Sequence, residues 1–193
     1  MADSSFYVHH STKLAETDFS ELLGVTENSI HLMVPMVVVD ELDHLKESKT
    51  PQARWRARYT LAVFDRTFQQ GTEQAVLREA DREVQRNTEV RCGEVTAQLL
   101  FDPPGHVRLP INDDEIVDRA LAVQSLSGRE VTILTYDTGQ ATRARAAGLR
   151  DLKLSMPVAG DPEEQRTSNR RLRLTERPVE RPPEGNVSPE LRG

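Results

Sequence analysis

Cysteine is almost missing from this chain. Cys92 is the single one among 193 residues, so no internal disulfide and no thiolate zinc cluster can form, and a reducing cytosol fits. The five histidines form no spaced metal motif. Long hydrophobic runs are also lacking: the longest, Leu32 to Val39, contains Pro35 and falls far short of the roughly 20 residues a membrane-spanning helix needs. The N-terminus does not follow the basic-then-apolar pattern of a signal peptide, so the expectation is a soluble, cytoplasmic protein. Positive charge is not in excess. Lys and Arg number 25 against 31 Asp and Glu, a net charge of -6, which argues against tight nonspecific attraction to nucleic acid. It does not exclude a nuclease, whose acidic centre carries its own counter-ions. A phosphate loop of the Gly-x-x-x-x-Gly-Lys type is absent, as is a nucleophilic Asp-x-Asp pair after a full strand, and both absences weigh against another α/β phosphoesterase or a receiver-like domain.

What is present is enough for one substantial core, since 37% of the residues are hydrophobic. The composition changes near residue 157. Residues 158–193 hold 5 of the 11 prolines, balance seven Arg against seven acids, and contain no aromatic residue. Such a segment buries too little apolar surface to offset its ordering entropy, which predicts a domain over 1–157 and a disordered tail over 158–193. Arg166, Arg170, Arg171 and Arg173 offer a grip for RNA or a partner, but a solvated polyampholyte is the favoured reading.

Within the domain the apolar pattern alternates between two periods. Leu14, Phe19, Leu22 and Leu23 predict a helix closing at Gly24, and Ser29 to Val34 a buried strand with Pro35 opening the next helix. Val38, Leu42 and Leu45 form the core stripe of that helix, with Glu41 beside it. A helical rhythm from Pro51 carries Trp55, Tyr59, Ala62, Val63 and Phe64 to a stop at Gly71, and a polar helix is expected over Glu73 to Val84. Val95 to Phe101 reads as a strand, followed by the turn Asp102-Pro103-Pro104-Gly105. Asn112 and Asp113 suit the N-cap of a helix reaching Ser127, with Ile116, Ala120, Leu121 and Val123 as its stripe. Val131 to Thr135 is another strand, Gln140 to Ala147 a helix stopped by Gly148, and Leu152 to Leu154 a last strand. Strands alternating with helices imply an α/β fold with a mostly parallel sheet.

Acidic residues punctuate this pattern at Asp3, Glu41, Asp113 with Asp114, and Asp137. Carboxylates at the ends of successive parallel strands converge at one end of a sheet, where they repel one another unless hard cations neutralise them. Each has a plain structural alternative: Asp113 as a helix cap, Asp137 in an Asx turn, Glu41 as a solvated helix acid. Asp40, Asp43 and His44 read as exposed helical charges rather than ligands. Arg54 and Arg58 flank Trp55 and Tyr59, an RNA-stacking pattern, although a core role for the two aromatics is favoured.

The motifs and their order resemble the PIN domain family. Asp3-Ser4-Ser5-Phe6-Tyr7-Val8 is similar to the family's opening segment, and Val34-Pro35-Met36-Val37-Val38-Val39-Asp40-Glu41-Leu42 to its second motif. Asn112-Asp113-Asp114-Glu115-Ile116 resembles the third, and Leu134-Thr135-Tyr136-Asp137 the fourth. Arg143-Ala144-Arg145-Ala146-Ala147-Gly148-Leu149 follows as in many members. The resemblance implies a three-layer α/β/α sandwich and a metal-dependent endoribonuclease acting on single-stranded RNA, of a toxin or RNA-processing kind. Asp3, Glu41, Asp113 and Asp137 would be catalytic ligands of Mg2+ or Mn2+, with Asp114 as an outer or alternate ligand. Thr135, Arg143 and Arg145 would serve the substrate, Thr135 by orienting Asp137 or a water and the arginines by receiving phosphate. RNA is the expected partner; an antitoxin or other protein, or a second copy of the chain, is left open. A PIN-like binding module without turnover is the alternative. One departure stands out: only Met1 and Ala2 precede Asp3, where a central strand of about five residues is expected, so the first strand reads as truncated or as starting upstream.

Overall fold

The computed structural model describes residues 1–25, 29–69, 72–79 and 93–156. The expected tail lies outside them, and Met1–Met156 is one compact unit. Strand β1 (Ile30–Pro35) pairs in parallel with β3 (Val95–Leu100), whose other edge takes β2 (Gln74–Arg78) antiparallel. Strand β4 (Thr132–Thr135) pairs in parallel with β5 (Arg150–Lys153). Mixed helices and strands around this sheet make the α/β fold that the alternating pattern predicts.

The sheet is divided where the first strand should run. Ala2 makes a single parallel bridge to Leu134, Leu134 N–H donates to the Met1 carbonyl, and Asp3 N–H donates to the Leu134 carbonyl. The Met1 ammonium donates to the Thr132 carbonyl at 2.8 Å, and burial lowers its pKa from 8.0 to about 5. Beside it a cavity of about 390 Å3 runs between β1 and β4, bordered by Met1, Leu32, Val131 and Leu134. Residues 1–3 thus meet β4 through a single bridge.

Among the described residues six α-helices flank the strands. Ser4–His9 (α1) buries Phe6, Tyr7 and Val8; Phe19–Leu23 (α2) ends at Gly24, whose φ of 64° is the left-handed cap that favours glycine. Met36–Leu45 (α3) buries Val37, Val38 and Leu42, and Pro51–Thr67 (α4) starts with its proline at the first helical position. Asn112–Ser127 (α5) buries Ile116, Val117 and Ala120, and Thr138–Ala146 (α6) buries Ala141 and Ala144.

Several expectations need correction. The helix predicted from Leu14 is a 3-10 turn, Leu14–Glu16, and a separate α2, while α1 was not foreseen because its polar start masks a three-residue core face. The polar helix over Glu73 to Val84 is strand β2 at Gln74–Arg78; an edge strand half open to water needs no continuous apolar run. Its end, and Gly71, lie outside the described residues. The N-cap of α5 is Ile111, which puts Asn112 and Asp113 in the first turn. Leu121 is 37% exposed and Val117 takes its place in the core.

Candidate metal centre

Asp3 follows the Ala2 bridge and caps α1. Its carboxylate accepts from Ser5 Oγ (2.7 and 2.9 Å), from the Phe6 N–H (3.0 Å) and from Thr135 Oγ1 (2.5 Å). It is 4% exposed, and burial raises its pKa above the ordinary value, opposed by the hydrogen bonds from Thr135, Ser5 and Phe6 and reinforced by the charge of Glu41. Thr135 closes β4 and is fully buried; its hydroxyl also accepts the Asp137 N–H at 2.8 Å, so one side chain ties Asp3 to the start of α6. Ser5 Oγ likewise accepts the Tyr136 N–H at 2.9 Å.

Asp137 caps α6, its Oδ1 accepting from the Gly139 and Gln140 N–H groups. Asp113 stands in the first turn of α5. Burial raises its pKa; Arg143 opposes the rise, while Asp137, Glu41 and Asp114 add to it. Glu41, on the first turns of α3, accepts from Asn112 Nδ2 at 2.8 Å. The structure therefore brings Asp3, Glu41, Asp113 and Asp137 within electrostatic reach, with Glu41 acting on both Asp3 and Asp113. Gly139 marks the tightest point: a Cβ there would lie 3.0 Å from Asp137 Oδ1, 3.0 Å from an Arg143 guanidinium nitrogen and 3.8 Å from Asp113 Oδ2.

The two arginines differ in placement. Arg143 donates to Asp114 (2.8 Å) and Asp113 (3.2 Å) and so stands among the acids. Arg145 makes a two-pronged pair with Asp151 on β5, at 2.7 and 2.8 Å. Asp40 is paired with Arg108, and the ring of His44 bonds the Asp40 carbonyl rather than its carboxylate.

Sequence reasoning overlooked another group, and among the described residues it is the one whose ligand atoms stand close enough to share an ion, whereas Asp3, Glu41, Asp113 and Asp137 are coupled at longer range. Asp102, His106 and Glu115 place one ligand atom each within 4.8 Å of one another, a set able to hold a metal ion and one in which a histidine takes part. Glu115 is 1% exposed; it bonds His106 Nε2 at 2.7 Å and accepts the Leu109 N–H at 2.9 Å. Asp102 accepts from Arg108 Nε at 2.6 Å. These bonds already fasten the 102–109 loop to α5. A Glu in a first turn usually points to solvent, so the only available signal was the nearby His106 in a proline-rich turn.

The donors of the first cluster are carboxylate oxygens, which suit hard divalent cations. Among the described residues Asp3 has no cationic side chain as a bonding partner; burial is the main cause of the raised pKa of Asp3 and of Asp113, and neighbouring carboxylates add to it. Among the described residues no helix is long and apolar enough to cross a membrane. A family model for the PIN domain matches residues 1–154. No curated protein matches the chain.

Proposed function

The chain belongs to the PIN domain family, whose members are typically nucleases that use divalent metals, and from that premise we propose that it is a divalent-metal-dependent endoribonuclease acting on single-stranded RNA. The observation that supports the reading is the electrostatic coupling of Asp3 to Glu41 and of Asp113 to Glu41, Asp137 and Asp114. Asp3, Glu41, Asp113 and Asp137 would hold Mg2+ or Mn2+, with Asp114 beside them. A bound ion would supply activation of water and stabilisation of the negative charge on the departing 3'-oxygen. The remaining work falls to the protein. Ser5 and Thr135 hold Asp3 in one orientation, and Thr135 fixes the turn that presents Asp137. Arg143, already among the acids, is positioned to exchange its carboxylate partners for a substrate phosphate, which guanidinium matches in shape. Arg145 is committed to Asp151 and would contribute mainly long-range charge.

Asp113→Asn and Asp137→Asn test the proposal. Each keeps shape and removes one charged donor. Because loss of a mere supporting partner of a metal ligand lowers activity roughly 10- to 100-fold, loss of the ligand should lower cleavage by at least about 100-fold. The surface control Glu73→Gln should cleave as the wild type does. Equal cleavage by wild type, Asp113→Asn and Asp137→Asn would sink the assignment. The Arg143 contact with Asp113 and Asp114 favours a second reading, a PIN-like binding module held without turnover, which intact RNA after incubation with Mg2+ or Mn2+ would establish.

A further inference from the structure

Helix α4 carries a feature that neither the fold nor the carboxylate cluster explains. Trp55 was expected in the core, yet it is 51% exposed. It stacks on Tyr59, one turn further along, with ring centroids 5.6 Å apart and planes 16° from parallel. Lys13 Nζ lies 5.9 Å from the centre of the Tyr59 ring. Tyr59 packs partly against the core, and the Arg56 guanidinium lies 6.0 Å from the centre of the half-exposed indole. Single exposed apolar side chains are common, but here the exposed ring is stacked on a second aromatic and sits among cations.

The surroundings are cationic. Over residues 46–66 the chain has six Lys or Arg and two acids, the reverse of its overall balance. Arg54, Arg56, Arg58 and Arg66 form no ion pair among the described residues and donate only to backbone carbonyls. Arg56 is consumed structurally: it binds the carbonyls of His10, Ser11 and Thr12, which fixes the exit of α1 against α4. Arg54 and Arg58, one turn apart, each donate once, to Ser48 and Lys46 in the α3–α4 connection. Most of their donors are left for another acceptor. Lys49 is exposed in the same connection.

We propose that Trp55, stacked on Tyr59, is a base-stacking platform for single-stranded RNA, with Arg54, Arg58 and Lys49 receiving the phosphates on either side. A half-exposed ring takes a nucleobase of any identity on its face, and uncompensated guanidinium groups take the backbone. A duplex hides its base faces and cannot use the platform. The proposal deepens the ribonuclease reading by assigning its preference for unpaired RNA to α4, the helix packed against the Glu41-bearing α3 and the Asp3-capped α1.

Trp55 is the chain's only tryptophan, so indole emission reports on this position alone. Full-length wild type and Asp113→Asn would be titrated with a fluorescein-labelled oligouridine in Mg2+, reading tryptophan emission and RNA anisotropy together. Emission should be quenched in step with binding, while a blunt duplex of equal length leaves it unchanged. Trp55→Ala should bind the oligouridine roughly 5- to 100-fold more weakly, and Trp55→Phe should stay within about threefold of wild type. Arg54→Ala and Arg58→Ala should each flatten the salt dependence by about 0.7 in log K against log salt. Binding with unchanged emission, equal affinity of Trp55→Ala, equal quenching by the duplex, or no RNA binding would each overturn the platform; unchanged emission would also assign the face to a protein partner. Quenching without cleavage by wild type would remove the nuclease reading and keep the platform. Cleavage without quenching would do the reverse.

Discussion

Asp3 and Asp113 lie in the same carboxylate cluster, and burial raises the pKa of both, yet the fold holds them by opposite means. Asp3 is sealed at the inner end by uncharged donors from Ser5, Phe6 and Thr135. Asp113 is half-buried at the outer end, on a first helical turn, with the cation of Arg143 as its partner. Hydrogen bonds orient a carboxylate without cancelling its charge, whereas a guanidinium cancels charge and can be exchanged. The inner half is therefore held by hydrogen bonds, and under the proposed function the outer half is where a cation or a phosphate would exchange with Arg143.

The largest effect should come from breaking the inner half. Asp3→Ala leaves three donors without their acceptor and uncaps α1, so urea unfolding should show a loss of about 2–4 kcal/mol. A loss below about 0.5 kcal/mol, the range of ordinary surface changes, would show that these bonds do not hold the fold. Adding an apolar segment of about five residues ahead of Met1 should act in the other direction. Each side chain seated in the cavity between β1 and β4 contributes roughly 1.5–3 kcal/mol before ordering entropy is subtracted, and the melting temperature should rise. The extension also turns the Met1 amine into an amide. That amine's folded pKa is depressed to about 5 from 8.0, so the unfolded chain binds more protons between these values and stability climbs with pH there. In the extended chain this climb should disappear; an unchanged pH profile and melting temperature would show that the added segment does not enter the cavity.

The outer half should respond more weakly. Asp137→Ala removes the cap of α6 and should cost about 1 kcal/mol. For Asp113 the folded pKa is raised above 3.8, so the folded state holds more protons in the window between 3.8 and that raised value, and this contribution to stability is lost as pH rises through it. Without metal, the stability difference between wild type and Asp113→Asn should thus move against wild type with rising pH, and Mn2+ should reverse the trend. A difference that stays flat across the window would contradict the burial argument. The smallest effect belongs to Arg143→Ala, below about 1 kcal/mol for a pair this open to solvent, accompanied by tighter Mn2+ binding in calorimetry because a competing cation is gone.

Much of this arrangement was legible in the sequence. The four acids could be placed because each follows an apolar segment or opens a helix, and the burial of Val37, Val38 and Leu42 leaves Glu41 off the core stripe as its periodicity implied. Long-range contacts were not legible. Nothing local in Thr135 says that its hydroxyl will meet Asp3, since that bond depends on which strand lies beside Met1–Asp3. Glu115 and His106 met across a loop whose path the sequence does not fix. Trp55 misled because helical spacing shows which residues share a face, not which face turns inward. The net charge misled similarly: a total of -6 coexists with a helix whose arginines have no carboxylate partner among the described residues.

The bond between Thr135 and Asp3 joins residues 132 positions apart. During synthesis from the N-terminus, at roughly 5–20 residues per second, Asp3 emerges many seconds before the partner that orients it. Asp113 and Asp137, too, emerge late. A nascent chain beside the messenger that encodes it therefore holds only part of the carboxylate cluster until β4 has docked against Ala2. Under the proposed RNA-cleaving function, that order of assembly would delay activity until the template has been read nearly to the end of the domain.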